Sequence, residues 1–326
     1  MLLLNAEEIR RVFTMEDAIN SNEEAFVKQS KRQTEVPVRI NFDVGDKGIT
    51  SYMPALIKDA PVTGIKIVST YHDNPKKGLP SVTATTLLVD PETGMVNAIM
   101  DGTELTRLRT GAVSGLATKY LANGDAKKGA LFGTGGQAYR QLEAMLTVRK
   151  LDEVKIYDTS GEKIAAFIDG ASAMAAKLGA KLVAAATPSE AVDGADVITT
   201  VTSSANPVFD GKALKKGVHI NAVGVFMPHK RELDEYTVTH ADKIYVDNME
   251  AVMSEAGEFL IPMAEGKFSE KSITGELGDL VLGNIEGRTS KEELTVMKTV
   301  GFATLDVVIA WNVLKKALAE GVGRTF

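Results

Sequence analysis

Two groups of residues in this chain have types and spacing that can do chemistry. The first is Gly133-Thr-Gly-Gly-Gln-Ala138. It follows a short apolar run at 129–132 and opens a helical pattern over 137–148. A second apolar run, 154–157, then ends at Asp158. Strand, glycine turn, helix, strand and acid in this order make a dinucleotide-binding unit. Gly133 permits the tight turn, and Gly135 lets the backbone approach a pyrophosphate. Ala138 stands where the third glycine is common, and Thr134, Gly136 and Gln137 complete the turn. The helix start offers unpaired N–H groups and the positive end of its dipole. Asp158 lies 20 residues past Ala138 and can accept hydrogen bonds from a ribose diol. A carboxylate there repels a 2′-phosphate. Thr159 and Ser160 follow it where an Arg or Lys would suit NADP(H). The cofactor expected is NAD(H).

The second group is basic. Arg39 lies in Val36-Pro-Val-Arg-Ile40, Lys66 in Gly64-Ile-Lys-Ile-Val68 and Arg109 in Leu105-Thr-Arg-Leu-Arg-Thr-Gly111. A lysine inside an apolar strand is costly to bury without an anionic partner. An arginine at a helix start, where Arg109 reads, opposes the dipole unless it faces an anion. The three could clamp a substrate carboxylate, Arg109 in bidentate fashion. Read one at a time, each is equally a surface charge on an edge strand or helix.

The elements that must position these groups follow from pattern. Residues 121–300 alternate strand and helix, with further strands at 181–185, 196–201, 218–223 and 243–246. Helices read at 162–178, which is alanine-rich, and at 188–192. Short apolar strands with helical crossovers argue a parallel, doubly wound sheet. The first 120 residues differ. A helix at 14–31 precedes strands at 38–43, 49–53, 64–70, 81–89 and 96–100. Asp90-Pro-Glu-Thr-Gly94 connects the last two as a hairpin,. This array reads as an antiparallel sheet, followed by a helix at 103–121. The segment 291–319 reads as helical and is expected to pack back on the N-terminal sheet. The fold class expected is therefore α/β, a Rossmann-type doubly wound parallel sheet plus a discontinuous α+β domain. That domain comprises 1–120 and 301–326, and the dinucleotide-binding domain 121–300. The N-terminal sheet looks short of cover, which dimerisation would supply.

Composition bounds the reading. The chain has 326 residues, 44% hydrophobic and 25% charged, with a formal net charge of -6. That balance is ordinary for a globular protein and lacks the basic excess of a nucleic-acid binder. No apolar run approaches the roughly 20 residues that span a bilayer, and Met1-Leu-Leu-Leu4 is too short for a signal-peptide core. A cytoplasmic location is the default. Cysteine is absent, so disulfides and thiol catalysis are excluded. His72, His219, His229 and His240 have no metal-type spacing, and no metal site is expected. His219, inside Val218-His-Ile-Asn-Ala-Val223, reads as a strand residue with a satisfied partner.

Several runs together resemble the ornithine cyclodeaminase/μ-crystallin family. They are Gly64-Ile-Lys-Ile-Val68, Asn74-Pro, Gly78-Leu-Pro-Ser-Val-Thr-Ala84, Leu105-Thr-Arg-Leu-Arg-Thr-Gly111, Ala117-Thr-Lys-Tyr-Leu121 and the glycine turn. In order there follow Asn221-Ala-Val-Gly224, Arg231-Glu-Leu-Asp234, Gly275-Glu-Leu-Gly-Asp-Leu-Val-Leu-Gly283 and Gly287-Arg-Thr. The resemblance covers essentially the whole chain. It implies a Rossmann domain inserted in a discontinuous substrate-binding and dimerisation domain, a bound NAD(P)(H) and a homodimer. It maps the α-carboxylate-binding residues onto Arg39, Lys66 and Arg109, with the lysine near the reacting carbon. It places Ser81 and Thr83 at the nicotinamide end of the cofactor.

The chain departs from the cyclodeaminases at two positions. Their Asp two residues after the Asn-Ala-Val-Gly glycine is Phe226 here, and their Glu before the Met-Pro turn is Ser51. An ammonium beside Phe226 would lose hydration without a counter-ion. The expected activity is therefore an NAD(H)-dependent oxidoreductase on the C–N bond of a small amino acid or cyclic 2-imino acid. Lys66 would be the proton donor or base, and Phe226 would line an apolar wall. The alternatives are ornithine cyclodeaminase, with Glu255 or Glu258 replacing the missing acids, and a non-catalytic, crystallin-like binding protein.

Overall fold

The chain opens with β1 (Leu2–Leu4), α1 (Ala6–Val12) and α2 (Met15–Ser30). Both helices start at a capping box, Asn5 with Glu8 and Thr14 with Asp17, in which side chain and backbone satisfy each other's orphan donors. Then come β2 (Thr34–Glu35), β3 (Ile40–Asp43), β4 (Ile49–Ile57), β5 (Val62–Thr70), β6 (Val82–Val89) and β7 (Val96–Asp101). The computed structural model describes every residue but Val38, Ala60, Pro61 and His72, and of Pro75 only the backbone. The strand expected from Val38 is thus described only from Ile40, and His72 lies outside the described residues.

The hairpin between β6 and β7 turns where predicted. The Asp90 side chain accepts the Glu92 and Thr93 N–H groups, and Gly94 takes φ +70, a conformation glycine adopts without penalty. α3 (Gly102–Leu121) follows. Arg109 is expected at a helix start, but α3 begins at Gly102. It sits past the first turn, where the terminal dipole has little hold.

By its contacts the chain forms two units, residues 1–109 with 302–326, and residues 110–301. The second contains β8 (Lys128–Phe132), α4 (Ala138–Val148), β9 (Glu153–Tyr157), α5 (Gly161–Lys177), β10 (Lys181–Ala184), α6 (Pro188–Val192), β11 (Val197–Thr200) and β12 (His219–Ala222). α7 (Glu235–His240), β13 (Lys243–Val246), α8 (Met249–Glu255), α9 (Gly257–Ala264), β14 (Gly275–Glu276), α10 (Leu277–Leu282) and β15 (Thr295–Lys298) complete it. Its sheet runs β10-β9-β8-β11-β12-β15-β13-β14, and every pairing is parallel. Chain order reverses beside β8, the switch point where such sheets bind ligands. Both faces are covered. Leu131 and Val197 pack in one core with α4 and α5 residues, while Phe132 and Ile198 enter the other. Strands buried on two sides read as unbroken apolar runs, which makes this half of the fold legible in sequence.

The segment 291–319, expected to be helical, corrects that reading. Thr295–Lys298 is β15, inserted between β12 and β13. Its four residues, Thr-Val-Met-Lys, are too few to show a period, so only its neighbours decide its form. Gly301, at φ +81, turns the chain into α11 (Ala303–Glu320), and β16 (Arg324–Thr325) is the last element.

α11 returns to the first unit and packs on β4, β5, β6 and α2. The sheet there runs β16-β1-β7-β6-β5-β4-β2, with β3 on the other part of β4. Its pairings are antiparallel except β1 with β7. That exception makes the sheet mixed rather than purely antiparallel. Gly64 of β5 sets how closely α11 approaches. A Cβ there would lie 2.8 Å from the Leu87 carbonyl oxygen and 3.1 Å from Val307 of α11. Gly64→Ala is expected to cost about 1–3 kcal/mol by overpacking, read as a lower melting temperature in calorimetry. An unchanged melting temperature would mean that the spacing of helix and sheet does not depend on this glycine.

Candidate active site

In the first unit, β5 turns Val62, Gly64 and Lys66 to the buried face. Directly across from Lys66 stand Met53 of β4 and Thr86 of β6, so these side chains leave the sheet on the same side. α11 covers that side and brings Asp306 to Lys66. The Lys66 Nζ donates to Asp306 Oδ2 at 2.6 Å, and Arg109 Nε donates to Oδ1 at 3.1 Å. Lys66 and Asp306 are each 1% exposed, and Arg109 8%. The reading of Lys66 and Arg109 as surface charges is thereby excluded.

Burial pushes Lys66 down to about 8, aided by the charges of Arg109 and Arg39, while the Asp306 charge and hydrogen bond oppose the fall. Arg39, half-buried just ahead of β3, is therefore near enough for its charge to act on Lys66. Two buried cations share one carboxylate. Buried charge demands pairing, so the cluster is suited to a further anion. Sequence reasoning misses Asp306. The only signal available to it is an acid among the buried positions of an apolar helix, Ala303-Thr-Leu-Asp-Val-Val308.

The register also places the other first-unit residues. Ser51 pairs with Val68, which puts it on the Lys66 side, and its hydroxyl donates to Asn41 Oδ1 at 2.6 Å. Ser81 precedes β6, half-buried. Thr83 pairs with Ser69, an odd-numbered position of β5. Its side chain therefore leaves the sheet opposite to Lys66, and the structure does not bring the two together.

In the second unit the glycine turn follows β8. Gly133 has φ +97, and a Cβ on it would lie 2.8 Å from the Val201 carbonyl oxygen. The turn is fastened to the end of β9. Asp158 Oδ2 accepts from the Thr134 N–H at 3.0 Å and its hydroxyl at 2.9 Å, and Oδ1 accepts from Ser160 N–H at 3.2 Å. Burial alone would raise Asp158, but the bonds from Thr134 and Ser160 and the charge of Lys163 hold it below the usual carboxylate range. Nothing lies within 4 Å of a Cβ built on Gly135, so the space outside that residue is open. α4 starts with no side-chain cap and no acid in its first turn. The Gln137 Oε1 at its start is buried without a partner. Open space, uncapped N–H groups and a ribose-accepting carboxylate fit a dinucleotide.

Phe226 is 48% exposed on the loop after β12. The neighbouring Val225 carbonyl accepts from Lys298 Nζ at 2.6 Å. Lys298 also pairs with Glu258 at 3.0 Å, both side chains fully buried. Glu258 in turn accepts the Glu232 N–H. Glu232 accepts the N–H and hydroxyl of Thr202 and the N–H of Gly224. Burial raises Glu232 above its ordinary value against the pull of Lys298. This brace ties together the chain beyond β11 and β12, where a parallel sheet presents its ligand edge. Glu258, a candidate stand-in for the missing cyclodeaminase acids, is occupied by the brace. Arg231-Glu-Leu-Asp234 enters the sequence reading only through the family resemblance.

His219 is buried in β12, with Nδ1 on Thr295 Oγ1 and Nε2 on Asn221 Oδ1. Burial, with the Arg288 charge, takes it down to about 3, so it is neutral and structural. Among the described residues no group of three or more His, Cys, Asp or Glu side chains could hold a metal ion. No described helix is long and apolar enough to cross a membrane.

Comparison with known proteins identifies the family. Residues 1–321 match the Ornithine cyclodeaminase/mu-crystallin family. A Delta(1)-pyrroline-2-carboxylate reductase of Bacillus cereus is 37% identical over 324 residues, covering 99% of this chain and 98% of that protein. The Thermococcus litoralis Delta(1)-pyrroline-2-carboxylate reductase, solved with NADH and L-proline, superposes with a TM-score of 0.95 at 38% identity and full coverage of both chains, 100% each. An archaeal alanine dehydrogenase dimer with bound NAD gives a TM-score of 0.92 at 34% identity, over 100% of this chain and 98% of that one.

Proposed function

The chain belongs to the ornithine cyclodeaminase/mu-crystallin family, and we propose that within it the protein is an NAD(H)-dependent reductase of a small cyclic 2-imino acid. The same site would serve the reverse oxidation of a small amino acid. The observation that carries the reading is the buried cluster of Lys66, Arg109 and Asp306 with Arg39 beside it, in a chain with Ser51 and Phe226 where a diamine substrate needs acids. The reductases and the alanine dehydrogenase similar to this chain support it.

Roles follow from the chemistry. Arg109, Arg39 and Lys66 bind the substrate carboxylate, the first through charge-assisted hydrogen bonds. Gly133, Thr134, Gly135, Gly136 and Gln137 hold the pyrophosphate, and Asp158 the adenosine ribose. Ser81 is assigned to the nicotinamide end. The hydride for the imine carbon would come from NADH held by these residues. Lys66 supplies the proton to the nitrogen, so that C=N becomes CH–NH and the charge balances. Phe226 offers an apolar wall. Residues 1–120 with 301–326 serve as the substrate-binding and dimerisation domain, and 121–300 as the dinucleotide-binding domain.

Cyclodeamination of ornithine fits less well. Its distal ammonium would be desolvated beside Phe226 with no counter-ion, at a cost of roughly several kcal/mol. Ser51, hydrogen-bonded to Asn41, supplies no negative charge. A homodimer fits the exposed apolar residues of the first sheet. Ile40 and Phe42 of β3 are 54% and 59% exposed, and Ile49 of β4 is 45% exposed.

NADH absorbance should fall with pyrroline-2-carboxylate or piperideine-2-carboxylate, and more slowly with pyruvate plus ammonia. Ornithine with NAD+ should give little proline by chromatography. Rapid, stoichiometric proline formation would return the protein to the cyclodeaminases. Lys66 holds its proton below about 8. The kcat/KM for reduction should therefore decline as pH rises through that value, and that for oxidation should climb.

The cofactor assignment has its own test. Titration should show NADH binding more tightly than NADPH, and Asp158→Ala should weaken NADH and narrow the gap. Equal binding of both nucleotides by the wild type would refute the role of this carboxylate.

Light scattering after gel filtration should give a dimer mass for the wild type and a monomer for Phe42→Asp. A monomeric wild type at micromolar concentration would remove the dimer from the reading.

A further inference from the structure

We propose that Asp306 is a positioning residue of the reaction. From α11 it takes the Lys66 ammonium on one carboxylate oxygen and the Arg109 Nε on the other, and so fixes proton donor and carboxylate-binding cation relative to each other. The inference rests on the reductase reading above for what Lys66 and Arg109 do. It rests on geometry for how they are held.

The two bonds are 2.6 and 3.1 Å, and Asp306 is 1% exposed. A buried carboxylate bonded on both oxygens has few other orientations. Lysine and arginine side chains are rotamer-rich, and fixing each costs conformational entropy. Asp306 meets that cost before substrate arrives, and prior ordering accelerates a reaction. The arrangement depends on the fold. Gly64 precedes Lys66 by two residues on the same face, and its missing Cβ lets Val307, the neighbour of Asp306, come close. The cluster joins side chains from β5, α3 and α11, so no local sequence motif contains it.

The carboxylate also sets how readily Lys66 gives up its proton. The charged groups acting on Lys66 are Asp306 of α11, Arg109 of α3 and Arg39 ahead of β3. Of these only Asp306 favours the ammonium, against burial and two cations. Without it Lys66 would be neutral over much of the working range, and the imine nitrogen would lack its donor.

The test compares wild type, Asp306→Asn and Asp306→Glu. For imine reduction, the alkaline limb of kcat/KM should move down by about one pH unit or more in Asp306→Asn, as expected when an opposite charge is removed. Activity lost at alkaline pH should partly return in mildly acidic buffer. In Asp306→Glu the charge remains but its reach changes, so the limb should stay in place while kcat falls at least about tenfold, or about 1.4 kcal/mol of barrier. A second readout needs neither cofactor nor turnover. Nitrogen-15 NMR of the lysine side chains, with the Lys66 signal assigned by its loss in Lys66→Met, should show a lower titration midpoint in Asp306→Asn than in wild type. A uniform loss of activity at every pH, with limb and NMR midpoint unmoved, overturns the proposal. So does wild-type kcat in Asp306→Glu, should that be the only variant that folds. If wild type reduces no imine while the NMR midpoint still moves, Asp306 keeps its hold on Lys66 and the reductase reading is the part that fails.

Discussion

The first unit is organised around one buried carboxylate. Asp306 sits on the last helix and binds a lysine from a central strand and an arginine from the helix that follows the sheet. Burying Lys66 alone would be prohibitive, and burying Arg109 beside it would be worse. With Asp306 both become tolerable, and the last helix must then lie across the sheet where residues from the first 109 positions wait for it. The discontinuity of this unit, in which residues 302–326 return to residues 1–109, has this pairing at its centre. Two cations share this one carboxylate, and the Arg39 charge acts on Lys66 as well. The unit's stability and its chemistry draw on the same groups.

The second unit solves a different problem. A dinucleotide is held mainly by backbone, so the chain must present N–H groups and keep side chains away. Gly133 and Gly135 do this in different ways. The first is excluded from bearing a side chain by the Val201 carbonyl behind it, whereas the second faces open space. Asp158 fastens the turn through Thr134 while remaining charged. The brace of Glu232, Glu258 and Lys298 holds the chain beyond β11 and β12 from behind. Its members are buried, and removal of one ionic partner from such a group typically costs about 3–5 kcal/mol. A rigid ligand edge is obtained from interior charge, not from loops.

The proposed substrate choice rests on two positions. Ser51 lies on the same side of the sheet as Lys66 and offers Asn41 a hydrogen bond rather than a substrate a charge. Phe226 is an exposed aromatic. Neither can compensate a second ammonium.

The sequence by itself determined the features that are local. The glycine turn, Asp158, the hairpin at 90–94, β8 to β13 of the parallel sheet and the long helices each carry their cause within a few residues. Lys66 is legible as an anomaly, since charge in an apolar strand demands a partner, whereas Arg109 reads as one only through a helix start that the structure moves back to Gly102. The partner is not legible, because it stands on α11, far along the chain. β15 reads as helix because four residues, Thr-Val-Met-Lys, are compatible with either form until flanking strands pair with them. The parallel pairing of β1 leaves no mark in the pattern, because three leucines have no period. The placement of Thr83 on the face away from Lys66 depends on register, and a shift of one residue would reverse it. Tertiary structure decided those matters for one reason. Ion pairing, strand registry and the close approach of a helix to a glycine are relations between distant segments, and a one-dimensional pattern holds only the half of each that lies in view.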